Sequence, residues 1–219
     1  MRVLRSLLGL LGELLITVGA FLLLFVGWQL WWTDVTSDAD ARAVVTQLQA
    51  DPNAWVQPGK LQLGDAFAIV RIPRFGADFA RPLYEGTTRE VLQRGIGHYL
   101  GTQLPGEVGN FAIAGHRTTY GKPFNQIATL KTGDVVLVET KDTYFVYRVN
   151  GGEIVPPTQT SVLLPVPDQP GVRPTAARLT MTSCHPEFSA RERIIAYAGL
   201  DASYPRSQGV PAAVLEVQG

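Results

Sequence analysis

Asp134-Val135-Val136-Leu137-Val138-Glu139-Thr140-Lys141-Asp142-Thr143-Tyr144-Phe145-Val146-Tyr147-Arg148-Val149 decides the fold class. Two runs rich in valine, tyrosine and phenylalanine flank Lys141-Asp142. Such side chains suit the pleated, half-buried surface of a sheet. Each run is strand-sized, and the pair with its short polar break reads as two strands joined by a turn. Asn150-Gly151-Gly152 follows as a strong turn signal, with Glu153-Ile154-Val155 continuing beyond it. Working outward, residues 66–72 form a strand that ends at Pro73, and 110–114 a short apolar one. Residues 178–183 and 193–198 supply two more. A short helix is expected over 88–94, capped by Thr87 or Thr88. Many short strands with few helices imply a closed or nearly closed β-barrel rather than a layered α/β fold. Residues 156–174 carry six prolines and little periodicity. A loop of that length in a compact domain is expected to be a functional wall or lid.

Upstream of the barrel, residues 7–32 are almost wholly apolar. About 20 such residues span a bilayer core of about 30 Å. The run ends in Trp28, Trp31 and Trp32, whose indoles suit the membrane–water interface, rather than in a small-residue cleavage site. Arg2 and Arg5 precede it; Asp34, Asp38 and Asp40 follow. The expected arrangement is a cytoplasmic tail over 1–6, a single transmembrane helix over 7–32, and an extracellular stem over 33–60. The barrel domain follows over 61–205, then a C-terminal tail over 206–219. Within the stem, Val44, Val45 and Leu48 form a weak helical stripe that Asp51-Pro52-Asn53 stops. The stripe leaves open whether the stem lifts the domain or packs on its back. Formal net charge is zero, and no basic cluster is interleaved with aromatics, which argues against nucleic acid as a partner.

Cys184 is the only cysteine. On the outward side of a membrane it has no disulfide partner within the chain, and an unpaired thiol kept there points to chemistry. It ends the strand Arg178-Leu179-Thr180-Met181-Thr182-Ser183. A nucleophile at a strand end is held better than one on a loop. His116 also follows a short apolar strand and is the favoured acid/base. His98 and His185 are its rivals; His185 alternates to the opposite strand face from the thiol but remains able to line a pocket. Arg193 opens the last strand, where pairing brings its guanidinium close to Cys184. It is favoured over Arg191 as the group that stabilises negative charge on a carbonyl oxygen. Ligand spacing for a metal site is lacking.

The residues that carry this chemistry resemble the sortases, cysteine transpeptidases of Gram-positive surfaces, and within them the class E group of actinobacteria. The family's Thr-Leu-x-Thr-Cys appears as Thr180-Met181-Thr182-Ser183-Cys184, after His116 and before Arg193. Arg94-Gly95-Ile96-Gly97-His98-Tyr99 and Leu104-Pro105-Gly106-Glu107-Val108-Gly109-Asn110 add to the likeness. Gly115-His116-Arg117-Thr118-Thr119-Tyr120-Gly121-Lys122-Pro123-Phe124 narrows it to class E. The resemblance implies an eight-stranded sortase barrel. It implies that Cys184 attacks the Thr–Gly carbonyl of a C-terminal sorting signal, that His116 protonates the leaving amine, and that Arg193 holds substrate and oxyanion. It places Tyr120 at the position linked to a Leu-Ala-x-Thr-Gly preference, with Thr182, Ser183 and His185 in the substrate pocket and 156–174 as its wall. The implied partners are surface proteins bearing sorting signals, the amine of a lipid-linked peptidoglycan precursor, and the bilayer; no cofactor is implied. A papain-like hydrolase would place cysteine before histidine. An L,D-transpeptidase would set its cysteine in Ser-x-Gly-Cys, and a non-catalytic wall domain leaves the thiol unexplained.

Overall fold

Eight strands close into a barrel in the computed structural model, which describes residues 2–215. They are β1 (Ala66–Arg71), β2 (Arg81–Glu85), β3 (Ile96–His98), β4 (Gly109–Ala114), β5 (Val135–Glu139), β6 (Thr143–Val155), β7 (Ala177–His185) and β8 (Glu192–Pro205). Around the barrel the order is β1-β2-β3-β4-β7-β8-β6-β5. Two pairings are parallel, β2 with β3 and β4 with β7; the rest are antiparallel. Closure leaves no free sheet edge. Strand alternation turns Phe111, Ile113, Val136, Val138, Tyr147, Leu179 and Met181 inward as one apolar core. Met181, where the family motif has leucine, is fully buried there. Such a swap conserves volume, and methionine adapts to its neighbours.

Three local readings are corrected by the structure. Asn150-Gly151-Gly152 is not a hairpin turn: β6 runs straight through it and stays paired with β8 as far as Val155↔Arg193. The register shifts between Val149 and Gly151, so the segment is a bulge. At Gly152 a Cβ would lie 2.6 Å from the Ile195 carbonyl oxygen, so only glycine permits this approach of the strands. Strands β2 and β3 are absent from the sequence reading. Pro82 masks the first, and the second is only Ile96-Gly97-His98. The last strand is also longer than its apolar run, ending at Pro205 rather than Ala198. Among the two threonines offered as a cap, Thr88 accepts from the Val91 N–H at the start of α2 (Arg89–Leu92).

The membrane candidate and the stem are one element, α1 (Arg2–Ala50), 49 residues long. Residues Arg5–Trp28 have mean hydropathy 2.3, and none of that stretch is buried against the protein. At 1.5 Å per residue it is about 36 Å long, enough to cross a bilayer core. Trp28 and Trp32 stack at its end with ring centroids 5.8 Å apart. Beyond it Ala41, Val45 and Leu48 recur at helical spacing and are buried. Val45 and Leu48 pack with Trp55 and with Ile69 on the outer side of β1. The last turns of the helix therefore pack on the barrel, while its apolar stretch stands clear of it. At the other end, Val210, Val214 and Leu215 pack over Val135, Leu137 and Val146 on the outer face of β5 and β6. Met1 and residues 216–219, the end of the expected tail, lie outside the described residues.

Candidate active site

The site follows from register. β4 and β7 run parallel with Ala114 beside Thr182, and the Gly115 N–H still bonds the Thr182 carbonyl at 3.2 Å. Two residues past that pair on each chain stand His116 and Cys184. On the other side, β8 runs antiparallel to β7 and sets Arg193 directly opposite Cys184. Since Leu179 and Met181 point inward, Thr180, Thr182 and Cys184 point out. Residues directly opposite share a face with Cβ atoms about 4.5–5.5 Å apart. In chain position, His116, Cys184 and Arg193 thus form a row across the neighbouring ends of β4, β7 and β8, with His116 two residues beyond the last residue of β4.

Arg193 is held by its own turn. Its Nη1 donates to the carbonyls of Ala190 and Glu192, both at 2.9 Å. No carboxylate among the described residues lies within ion-pair distance of it. The remaining donors of the planar fork are available to an incoming oxygen. Arg191 is exposed.

His116 is half-buried beside Tyr120, ring centroids 5.2 Å apart, and its Nε2 is buried without a hydrogen-bond partner. Burial alone lowers its pKa below the ordinary 6.5, since the charged imidazolium is the form that desolvation penalises. The unfolded chain then binds more protons than the folded one between the lowered value and 6.5, so stability falls as pH drops through that window. Thermal unfolding of the full chain in detergent micelles, scanned from pH 7 to pH 5, is expected to show this drop. His116→Gln should flatten it, and an unchanged slope would contradict the burial argument.

The rival histidines are accounted for differently. His98 sits among Phe67 and Phe111 with Nδ1 on Glu85 at 2.8 Å and Nε2 near Thr102 Oγ1 at 2.9 Å, a fully partnered interior group. His185 is turned toward Arg117, with Nδ1 2.9 Å from Arg117 Nη1. Ser183 is buried, and its hydroxyl donates to the Gly115 carbonyl at 2.8 Å. That bond ties the end of β7 to the chain entering His116, on the side of the strand away from the thiol. Thr182 faces outward and shares a hydrogen bond of 2.9 Å with the Tyr99 hydroxyl.

Beside the row lies a groove of about 230 Å³. Its floor includes Thr182, Arg193 and Ile195, and its sides include Tyr99, Val162 and Leu163. Residues 156–163 form the outer side, folded down by Val162 and Leu163 against Val155 and Ile195. Asn110 pins this segment: its Nδ2 donates to the carbonyls of Val162 and Leu164, both at 3.0 Å, while its Oδ1 accepts from Thr180 at 2.7 Å. Asn110→Ala would leave a buried hydroxyl and two carbonyls short of a partner, at about 1–3 kcal/mol for each group left unsatisfied. A lowered urea midpoint together with faster amide exchange over 160–164 is the expected signature.

Two participants escaped the sequence reading. Arg117 is buried, bonds the Cys184 carbonyl at 3.3 Å and lies 3.9 Å from Glu187, so it locks the His116 loop onto the end of β7. Its place directly after His116 is the only signal the sequence offers. Asn110 sits inside a run read as an apolar strand; a lone amide there is the hint that something outside must be bonded.

A closed eight-stranded barrel with a strand-end thiol between a histidine and an arginine is the sortase architecture, and the chain belongs to the sortase family: the sortase-domain model matches residues 70–201. Class E members are among its relatives. Sortase SrtE1 of Streptomyces coelicolor is 42% identical over 216 residues, 94% of this chain, which spans 60% of that relative's length. Sortase E from Streptomyces avermitilis superposes with a TM-score of 0.64 at 40% identity, over 71% of this chain and 99% of that one. Sortase E1 from Streptomyces coelicolor, solved with a tripeptide in its active site, gives 0.63 at 38% identity over 69% and 97%.

Proposed function

We propose that this chain is a membrane-anchored cysteine transpeptidase that cleaves a Leu-Ala-x-Thr-Gly or Leu-Pro-x-Thr-Gly sorting signal between Thr and Gly and joins the protein to a cell-wall amine. The observation that carries the reading is the register that sets Arg193 opposite Cys184 across β7 and β8, with His116 two residues past the Ala114↔Thr182 pair of β4 and β7. The groove behind 156–163 would take the signal in extended form, with Thr182 at its floor and Tyr99 at its side. Cys184 Sγ attacks the threonine carbonyl carbon as a thiolate, and Arg193 receives the negative charge that develops on the oxygen. The C–N bond breaks, and the leaving glycine amine takes its proton from the His116 imidazolium. An incoming amine then gives a proton to His116, attacks the thioester carbonyl and releases the thiolate. Because burial lowers the His116 pKa, the imidazolium is a minor form at neutral pH, and only that fraction of the enzyme would be poised to react.

Residues 5–28 would anchor the domain, with the N-terminus cytoplasmic and the barrel outside. The amine would come from a lipid-linked peptidoglycan precursor, diaminopimelate or glycine. The test is mass spectrometry of the full chain in micelles with both peptides and a diaminopimelate or oligoglycine amine. Cleavage between Thr and Gly with an adduct on Cys184 and an amine-joined product is expected, faster for the alanine-containing signal. Absence of adduct and product from both peptides would sink the assignment.

A further inference from the structure

The loop that carries His116 and Tyr120 bends through three successive residues of left-handed backbone: Tyr120 at φ 54°, Gly121 at φ 70° and Lys122 at φ 36°. Two of the three are not glycine. Non-glycine residues are held in this region only where their surroundings over-determine them. Here the surroundings come from α1. Asp34 accepts from the Gly121 N–H at 3.2 Å with one carboxylate oxygen and pairs with Lys122 Nζ at 2.8 Å with the other. Asp38 holds the Arg81 guanidinium at 2.6 Å, and the same Arg81 nitrogen donates to the Gly121 carbonyl at 3.3 Å. The fit is close: a Cβ on Gly121 would stand 2.8 Å from Asp38 Oδ1. From the barrel side, Gln93 Nε2 donates to the Tyr120 hydroxyl at 3.0 Å.

We propose that the stretch of α1 just past the apolar span, through Asp34 and Asp38, is a positioning element of the active site that holds the left-handed turn and so sets Tyr120 against His116. The proposal rests on the transpeptidase reading for its consequence, but the tether itself does not. Neither aspartate reaches the reacting atoms; both act through the loop. The arrangement couples the segment at the membrane surface to the acid/base side of the site. A catalytic domain cut free of α1 would lose this support.

The test uses the full chain in micelles, as wild type, as Asp34→Asn with Asp38→Asn, and as Asp34→Glu with Asp38→Glu. Amide exchange over 117–124 reads the tether, and turnover of the sorting-signal peptide reads its effect on the site. The double asparagine variant is expected to exchange about tenfold faster in that loop only, with an unchanged barrel. Its kcat should fall about tenfold while KM moves less than about twofold, because groups already bound are misaligned rather than lost. The double glutamate variant, which keeps charge and acceptors, should recover most of both. Asp34→Asn alone repeats the measurement with the Asp38–Arg81 pair intact. Unchanged loop exchange overturns the proposal, as does faster exchange with wild-type kcat. If wild type fails to turn over the peptide, the transpeptidase reading falls, and the exchange data alone decide the tether.

Discussion

Cys184→Ala is expected to lower peptide turnover by about 10⁴-fold or more and to eliminate the covalent adduct, with little change in thermal stability. The size of the effect follows from the absence of a substitute. Ser183, the neighbouring hydroxyl, is buried on the other side of β7 and bound to the Gly115 carbonyl. Thr182 is two strand positions' worth of one face away from the attack point and is engaged by Tyr99. Stability should hold because the thiol is only partly buried at a strand end and alanine fits the same backbone. Peptide binding should also survive, since the groove floor is formed by other side chains. Intact-mass analysis with the peptide decides the matter: turnover within tenfold of wild type would remove Cys184 from the mechanism.

Arg193→Ala should cost about 10²–10³ in kcat, the range found when one preorganised donor to a developing oxyanion is removed. The loss would fall on kcat more than on KM, because the charge on the carbonyl oxygen develops only as the bond to sulfur forms. Arg193→Lys is expected to recover only part of it. A lysine ammonium is a single point on a flexible stem, whereas the guanidinium binds the Ala190 and Glu192 carbonyls with one nitrogen and presents the rest of a rigid fork. Arg191→Ala serves as the internal comparison and should change turnover less than about threefold, being exposed at the turn. Equal losses at both arginines would mean that general positive charge, rather than the position opposite Cys184, is what matters. Steady-state kinetics on the peptide separates these outcomes.

The strand-end positions of Cys184 and Arg193 were legible because strand ends show in a sequence as a change from alternation to polar residues. What was not legible depends on closure. That His116 and Cys184 are level with each other comes from the parallel pairing of β4 with β7, two strands far apart in the chain. Nothing local announces it. Strand β3 owes its existence to its neighbours, since three residues have no pattern of their own. The Asn150-Gly151-Gly152 signal misled for the opposite reason: its local preference is for a turn, but the long β6–β8 pairing absorbs it as a bulge. The substrate-pocket expectation for Thr182, Ser183 and His185 grouped neighbours by sequence, whereas alternation turns the first toward the groove and Ser183 away from it.

The unbroken run of α1 from Arg2 to Ala50 carries a mechanical consequence. A hinged tether would let the catalytic domain swivel and bob; a continuous helix does neither without moving as a rod. Each residue added to it turns everything beyond by about 100° and raises it by about 1.5 Å. Asp34 is six residues beyond Trp28, so its bond to the His116 loop lies only about 9 Å along the rod from the end of the apolar span. With that span in a bilayer, the rod would set the height of the His116 loop above the membrane.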